Sequence, residues 1–286
     1  MATSLGGIPV RNTSDLITPD TKLCMLIYAM AKMGKTTLAA GLDALTKKHC
    51  GKPSLIIACE PADGGGTMSI QELGVDFAQP RDLNDLEKII AALETDTKYA
   101  GVILDSGTEV VKAFVQPYAL KFASKMRDPR REAGVPARDD YQTMGEEMRK
   151  KVNRLVRLTS HPDLRVRKHL IMTALIKEKY DQDGNVVLRI GPDLPGAMAD
   201  TSTAMFQTVA TLKIKDTVVK DPKTNAVSRL KSRVLVTEGD GVWVLGDRTH
   251  CFPKECEPDL MKIWETGFMP KFAKKEQPVA VAAIAA

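Results

Sequence analysis

Short, wholly apolar runs alternate with segments of helical periodicity through the first third of the chain. The runs are residues 23–28, 54–59 (SLIIAC) and 101–105 (GVILD). Their shortness and their lack of polar alternation predict strands buried on both faces, as in a parallel sheet. Between them, residues 35–48 read as a helix. Residues 82–93 read as an amphipathic helix with Leu83, Leu86, Ile89, Ile90 and Leu93 on one face. Strand, helix, strand, helix, strand predicts an α/β fold.

The pattern then loosens. Residues 108–125 predict a helix, and 128–138, broken by Pro129, Gly134 and Pro136, a loop. Residues 141–158 predict a long basic helix with Met144, Met148, Val152, Leu155 and Val156 among its apolar positions. A strand at 169–176 is followed by a turn at 181–185 and a loop at 191–200. Three β-type runs come next, at 209–215, 233–237 and 242–245, with a polar turn around 222–225. Residues 1–20, with Gly6, Gly7, Pro9 and Pro19, are expected to form a flexible arm. Residues 269–286, ending in PVAVAAIAA, are expected to form a disordered tail. One domain spanning 21–268, β-rich towards its C-terminal end, is left between them.

Composition narrows the class. Of the 286 residues, 43% are hydrophobic and 27% charged, which excludes a wholly disordered or collagen-like chain. No stretch reaches the roughly 20 apolar residues of a membrane helix, and the N-terminus lacks a signal-peptide pattern, so a cytoplasmic protein without a membrane partner is expected. The five scattered cysteines read as reduced thiols. The net charge of +5 is uneven: residues 121–177 hold 15 Lys/Arg against 7 Asp/Glu. Such a surplus fits a polyanion partner, and equally a solvated helix face.

The sharpest signal is AMAKMGKTT, residues 29–37, between a predicted strand and a predicted helix. That is the context of a phosphate-binding loop, although Ala29 stands where the G-x-x-x-x-G-K-[ST] pattern has its first glycine. Ala29, Met30, Ala31, Lys32, Met33, Gly34, Lys35, Thr36 and Thr37 are the candidate nucleotide-binding residues. Lys35 is expected at the β/γ oxygens of ATP and Thr36 on Mg²⁺. Asp105, ending the most apolar strand, is the second candidate metal ligand. Glu60, just past the second strand, is the candidate group that activates water, because ligands of open α/β sheets bind at that edge. His250, Cys251 and Cys256 fall short of the four ligands of a structural zinc site.

These motifs in this order, AKMGKTT, LIIACEPADGGG, ELGVD and GVILDSGTEV, resemble a RecA-fold ATPase. They are most similar to the RecA-like nucleotide-binding proteins of tailed phages that belong to single-strand annealing and recombination modules. Lys32, Leu194–Gly196 and Gly246, Asp247 and Arg248 match further short motifs of that group. The resemblance implies a RecA-like P-loop NTPase core with a mainly parallel central sheet and a β-rich C-terminal part. It implies ATP between subunits of a ring or filament, and single-stranded DNA as partner. DNA would meet loops after the central strands. The candidates are Lys125, Arg127, Arg130, Arg131 and Arg138, with the segment 178–199 (Lys179, Tyr180, Arg189) second. Arg248 is the first candidate for a catalytic cation supplied by a neighbouring subunit, with Lys213 and Lys215 next. Thr173 and Lys177 are candidate γ-phosphate sensors. A small-molecule kinase with an arginine-rich lid, or a nucleotide-binding switch that hydrolyses little, are the alternatives.

Overall fold

A computed structural model describes residues 4–5, 8–9, 18, 20–60, 66–124, 136–161, 163–184, 186–220 and 227–273. Near the N-terminus, β1 (Ser4–Leu5) and β2 (Ile8–Pro9) pair antiparallel with each other. The body begins with β3 (Cys24–Ala29), α1 (Lys35–Cys50) and β4 (Ser54–Ala58). A 3₁₀ helix (Thr67–Leu73), β5 (Asp76–Ala78), α2 (Leu83–Thr95) and β6 (Gly101–Asp105) follow. One continuous helical stretch then runs through α3 (Gly107–Glu109), a π-helical segment (Val110–Val115) and α4 (Gln116–Ser124). After it come α5 (Arg138–Arg157), β7 (His169–Tyr180), β8 (Val187–Pro192) and α6 (Met198–Met205). The chain continues as β9 (Thr208–Lys220), β10 (Val227–Val236), β11 (Gly246–Asp247) and β12 (Glu255–Cys256). It closes with α7 (Leu260–Ile263), a π-helical turn (Trp264–Phe268) and α8 (Met269–Ala273).

The main sheet runs β12-β10-β9-β3-β7-β6-β4-β5, with β11 beside β9 and β8 beside β7. Strands β9, β3, β7, β6, β4 and β5 are parallel to one another, and β10, β11, β12 and β8 are antiparallel to their partners. The fold is therefore α/β with a mainly parallel centre and a β-rich C-terminal part.

The uninterrupted apolar runs are explained by the two cores they feed. Cys24, Leu26 and Tyr28 of β3 face one core with Leu55, Ile57, Val102 and Leu104. Met25, Ile27 and Ala29 face the other with Ile56, Ala58 and Ile103. Side chains of a strand alternate between faces, so a strand covered on both sides needs an apolar residue at every position. Helices α2, α5 and α6 cover the first face, and α1, α7 and the turn at Trp264–Phe268 the second. Asp82 caps α2 by accepting from the Asp85 N–H at 2.8 Å. Helix α5 buries Met144, Met148, Val152 and Leu155, the stripe its periodicity predicts.

Four expectations change. The segment 191–200 is not a loop throughout: it holds the end of β8 and the start of α6. The run 242–245 is not a full strand, because Asp240 Oδ1 accepts from the Val242 and Trp243 N–H groups and turns the chain there. Only Trp243 bridges to Ile190. The helix expected at 141–158 starts at Arg138. Residues 269–273, expected in the tail, are helical, and the Phe272 ring meets Trp264 edge-on at 5.7 Å between centroids. Most of 1–20 and all of 274–286 lie outside the described residues.

Candidate functional site

Because β3, β4 and β6 are parallel, their C-terminal ends share one edge. Ala29, Ala58 and Asp105 end these strands, and Ala58 pairs with Asp105. The phosphate loop leaves β3 at this edge and enters α1. Ala29 itself is the last, fully buried residue of the strand, so the glycine it replaces is not needed for a left-handed turn. The left-handed positions are Lys32 (φ 62°) and Gly34 (φ 91°). At Gly34 any side chain would be strained, and an added Cβ would stand 3.4 Å from the Arg233 guanidinium.

Lys35 is buried, and its ammonium donates to the carbonyls of Ala29 (3.1 Å) and Met30 (2.8 Å). Burial pushes its pKa down, while the nearby Asp105 and Glu60 carboxylates pull it back up. Thr36 Oγ1 donates to Asp105 Oδ2 at 2.7 Å, and Thr173 Oγ1 donates to Asp105 Oδ1. Asp105 is buried, and these two hydroxyls are the partners of its side chain. Glu60 follows β4 at the same edge. Burial raises its pKa, and the negative charges of Asp105 and Glu109 raise it further, against the Gly66 N–H and Lys35. A Cβ at Gly66 would lie 2.5 Å from Glu60 Oε2, so a larger residue there would displace the Glu60 carboxylate.

One cleft of about 540 Å³ gathers these groups. Ala31, Lys32, Gly34, Lys35, Thr36 and Thr37 line it together with Glu60 and Asp105. The structure thus brings the two predicted acids and six of the nine predicted loop residues to one place. Ala29 contributes its carbonyl to Lys35, as does Met30, whose side chain is exposed, and Met33 packs on the second core. Ser69, Ser106, Glu109, Leu175 and Arg233 also line the cleft and were not foreseen. Of these, Ser106 and Glu109 lie just past GVILD and were within reach of sequence reasoning. Arg233, on β10, carries no local signal, because only the sheet order brings it over the loop.

Other expected residues fall elsewhere. Lys125, Arg127, Arg130 and Arg131 lie outside the described residues, and Arg138 is exposed at the start of α5. The segment 178–199 is mostly a β7–β8 hairpin with α6 beginning after it, not an open DNA loop. Its Arg189 pairs with Asp200 at 2.9 Å, and the Tyr180 hydroxyl donates to Glu178. Arg248 sits at the opposite edge of the sheet from the loop. Its N–H donates to the Gln207 carbonyl, and neighbouring Asp247 pairs with Thr208, which is level with Met25 at the start of β3. Arg248 therefore reaches no phosphate in its own chain. Lys213 lies over the Trp243 ring at 3.6 Å, Lys215 pairs with Glu255, and Lys177 pairs with Asp193 at 3.7 Å.

The donor set fits a nucleotide with a divalent metal. It has a cation at the head of a helix, backbone N–H groups in a left-handed turn, and a hydroxyl and carboxylate already in contact, the hard oxygen ligands that Mg²⁺ takes. On this sheet, such a site defines a P-loop NTPase core. The family profile described as an AAA domain matches residues 21–249, and the chain belongs to that family. Solved structures that match include a KaiC-like protein of the archaeon Pyrococcus horikoshii, at 14% identity and TM-score 0.37, covering 85% of this chain and 97% of that one. Another is the flagellar accessory protein FlaH of Methanocaldococcus jannaschii, at 9% identity and TM-score 0.35, covering 79% and 89%. No curated protein sequence matches.

Proposed function

We propose that the protein hydrolyses ATP with Mg²⁺ and that single-stranded DNA stimulates this turnover, as in phage-type recombination or strand annealing. The observation that carries the ATPase half is the convergence of Lys35, Thr36, Asp105 and Glu60 in one cleft. Lys35 and the loop N–H groups hold the polyphosphate, with Lys35 exchanging the Ala29 and Met30 carbonyls for phosphate oxygens. Thr36 and Asp105 hold the metal, which when bound neutralises charge on the phosphates. Glu60 orients and deprotonates the attacking water, and its raised pKa suits it to take a proton. Arg233 supplies a cation over the loop in its own chain. Arg248 serves only if a neighbouring subunit of an oligomer presents it.

The DNA half rests on the basic surplus of residues 121–177. Part of that surplus is neutralised internally: Lys151 and Arg154 of α5 pair with Glu87, and Arg154 with Glu94 at 2.8 Å. Arg138, Arg149 and Arg157 remain exposed on the same helix. The test is ATP hydrolysis by the full chain with and without single-stranded DNA across a salt series. Stimulation that fades steeply with salt is expected. Turnover indifferent to DNA, with a phosphorylated small product, would replace this reading by a kinase.

A further inference from the structure

The nucleotide's polarity across the site is set by the sheet order, and it leads to a second cleft. Glu60 and Asp105 follow β4 and β6, on one flank of β3, while Arg233 comes from β10 on the other. On the nucleotide reading above, the acids take the γ-phosphate and metal, which leaves the Arg233 side of the cleft for the α-phosphate. Arg233 also lines a neighbouring cleft of about 810 Å³, walled by Ile214, Lys231, Ser232, Val234, Glu257 and Pro258.

We infer that the nucleoside half of the bound nucleotide lies in this second cleft, with Ile214 and Pro258 against its faces and Lys231 and Glu257 at its polar edge. The inference rests on the nucleotide reading above and adds the residues that select the base. Ile214 pairs with Arg233 across the β9–β10 ladder, so both project from one face of the hairpin. The Ile214 side chain is 56% exposed, a bare apolar surface beside a cluster of cations. Lys231 is two residues further along the same face of β10, a step of about 7 Å, so a second cation of the cleft stands within a nucleotide's length of Arg233. The far wall is the turn before α7. There the Glu257 carboxylate, held by Lys262 at 2.9 Å, can only accept hydrogen bonds. An amino or ring N–H group of a base is the complementary donor, and the adjacent Lys262 ammonium can donate to a ring nitrogen. Apolar walls with a few placed polar groups are what a base-sized ligand requires.

The test compares ATP with inorganic tripolyphosphate, which lacks the nucleoside, on the full chain. Ile214→Asp, at an exposed position, should weaken ATP binding about tenfold by placing a charge against the base, and leave tripolyphosphate binding within about twofold. Photolabelling with an azido-adenine nucleotide should mark peptides that contain Ile214 or Pro258. Equal ATP affinity in wild type and Ile214→Asp, or label confined to the Thr67–Leu73 segment at the other end of the phosphate cleft, would overturn the assignment while leaving the phosphate loop intact. Failure of the wild-type protein to bind either compound would overturn both.

Discussion

Asp105 and Asp247 stand at opposite edges of one sheet, each at the end of an apolar run, GVILD in one case and VWVLGD in the other. Their carboxylates are held by different kinds of partner. Asp247 accepts from the N–H groups of Thr249 (3.0 Å), Cys251 (2.9 Å) and Phe252 (2.9 Å), and from the hydroxyls of Thr208 (2.9 Å) and Thr249 (2.7 Å). Its lone pairs are filled, mostly by main chain that cannot turn away. Asp105 accepts from two threonine hydroxyls, and a hydroxyl can rotate its proton elsewhere. One aspartate is a knot for the chain after β11. The other is free to exchange a hydroxyl for a cation. A strand-end aspartate is thus read by its donors and not by the run that precedes it.

Substitution at the two positions breaks the comparison if both behave alike. Asp105→Asn should lower ATP turnover by a factor on the order of a thousand, about 4 kcal/mol in the barrier, because it removes a charged group at the proposed metal position. Its unfolding midpoint in denaturant should stay close to wild type, since one threonine keeps the amide oxygen as acceptor and the other hydroxyl can turn to accept from the amide NH2. Asp247→Ala should do the reverse. It strands several donors at once and should cost roughly 3 kcal/mol of stability, read from the same denaturant curves, with the ATP affinity of the folded protein unchanged. A stable Asp247→Ala, or an Asp105→Asn with full turnover, would refute the distinction.

The two regions were also unequally legible. Strands β3, β4 and β6, helix α2 and the buried stripe of α5 were readable because each obeys a local rule: unbroken apolar runs or a 3.6-residue period. So were the loop, Glu60 and Asp105, since parallel strands must deliver their ends to one edge. The C-terminal part was less legible. Gly191 and the Leu194-Pro195-Gly196 run suggest a loop, yet β8 pairs through Pro192 because its partner β7 continues to Tyr180. The extension of β9 and β10 into a long hairpin depends on their pairing with each other, and so does the place of Arg233. Gly246, Asp247 and Arg248 contain the Asp247 knot, and they do not bring Arg248 to the loop of its own chain.

Glu60 offers the smallest and most selective effect at the functional edge. Burial, Asp105 and Glu109 raise its pKa in the folded chain. A carboxyl whose folded pKa lies above its unfolded value binds its proton more tightly when folded. Its contribution to stability is therefore full below the ordinary glutamate range and is lost as pH rises through the folded pKa. Once ionised, Glu60 is a cost to the fold, which its proposed role as the base would account for. Glu60→Gln removes that cost. The variant should keep ATP binding, lose hydrolysis, and melt slightly higher than wild type near about pH 8, with the gain shrinking towards about pH 4. Melting curves of both proteins across that range measure it. A difference that does not vary with pH would mean that the neighbouring acids do not press on Glu60, and would remove the electrostatic argument for its role as the base.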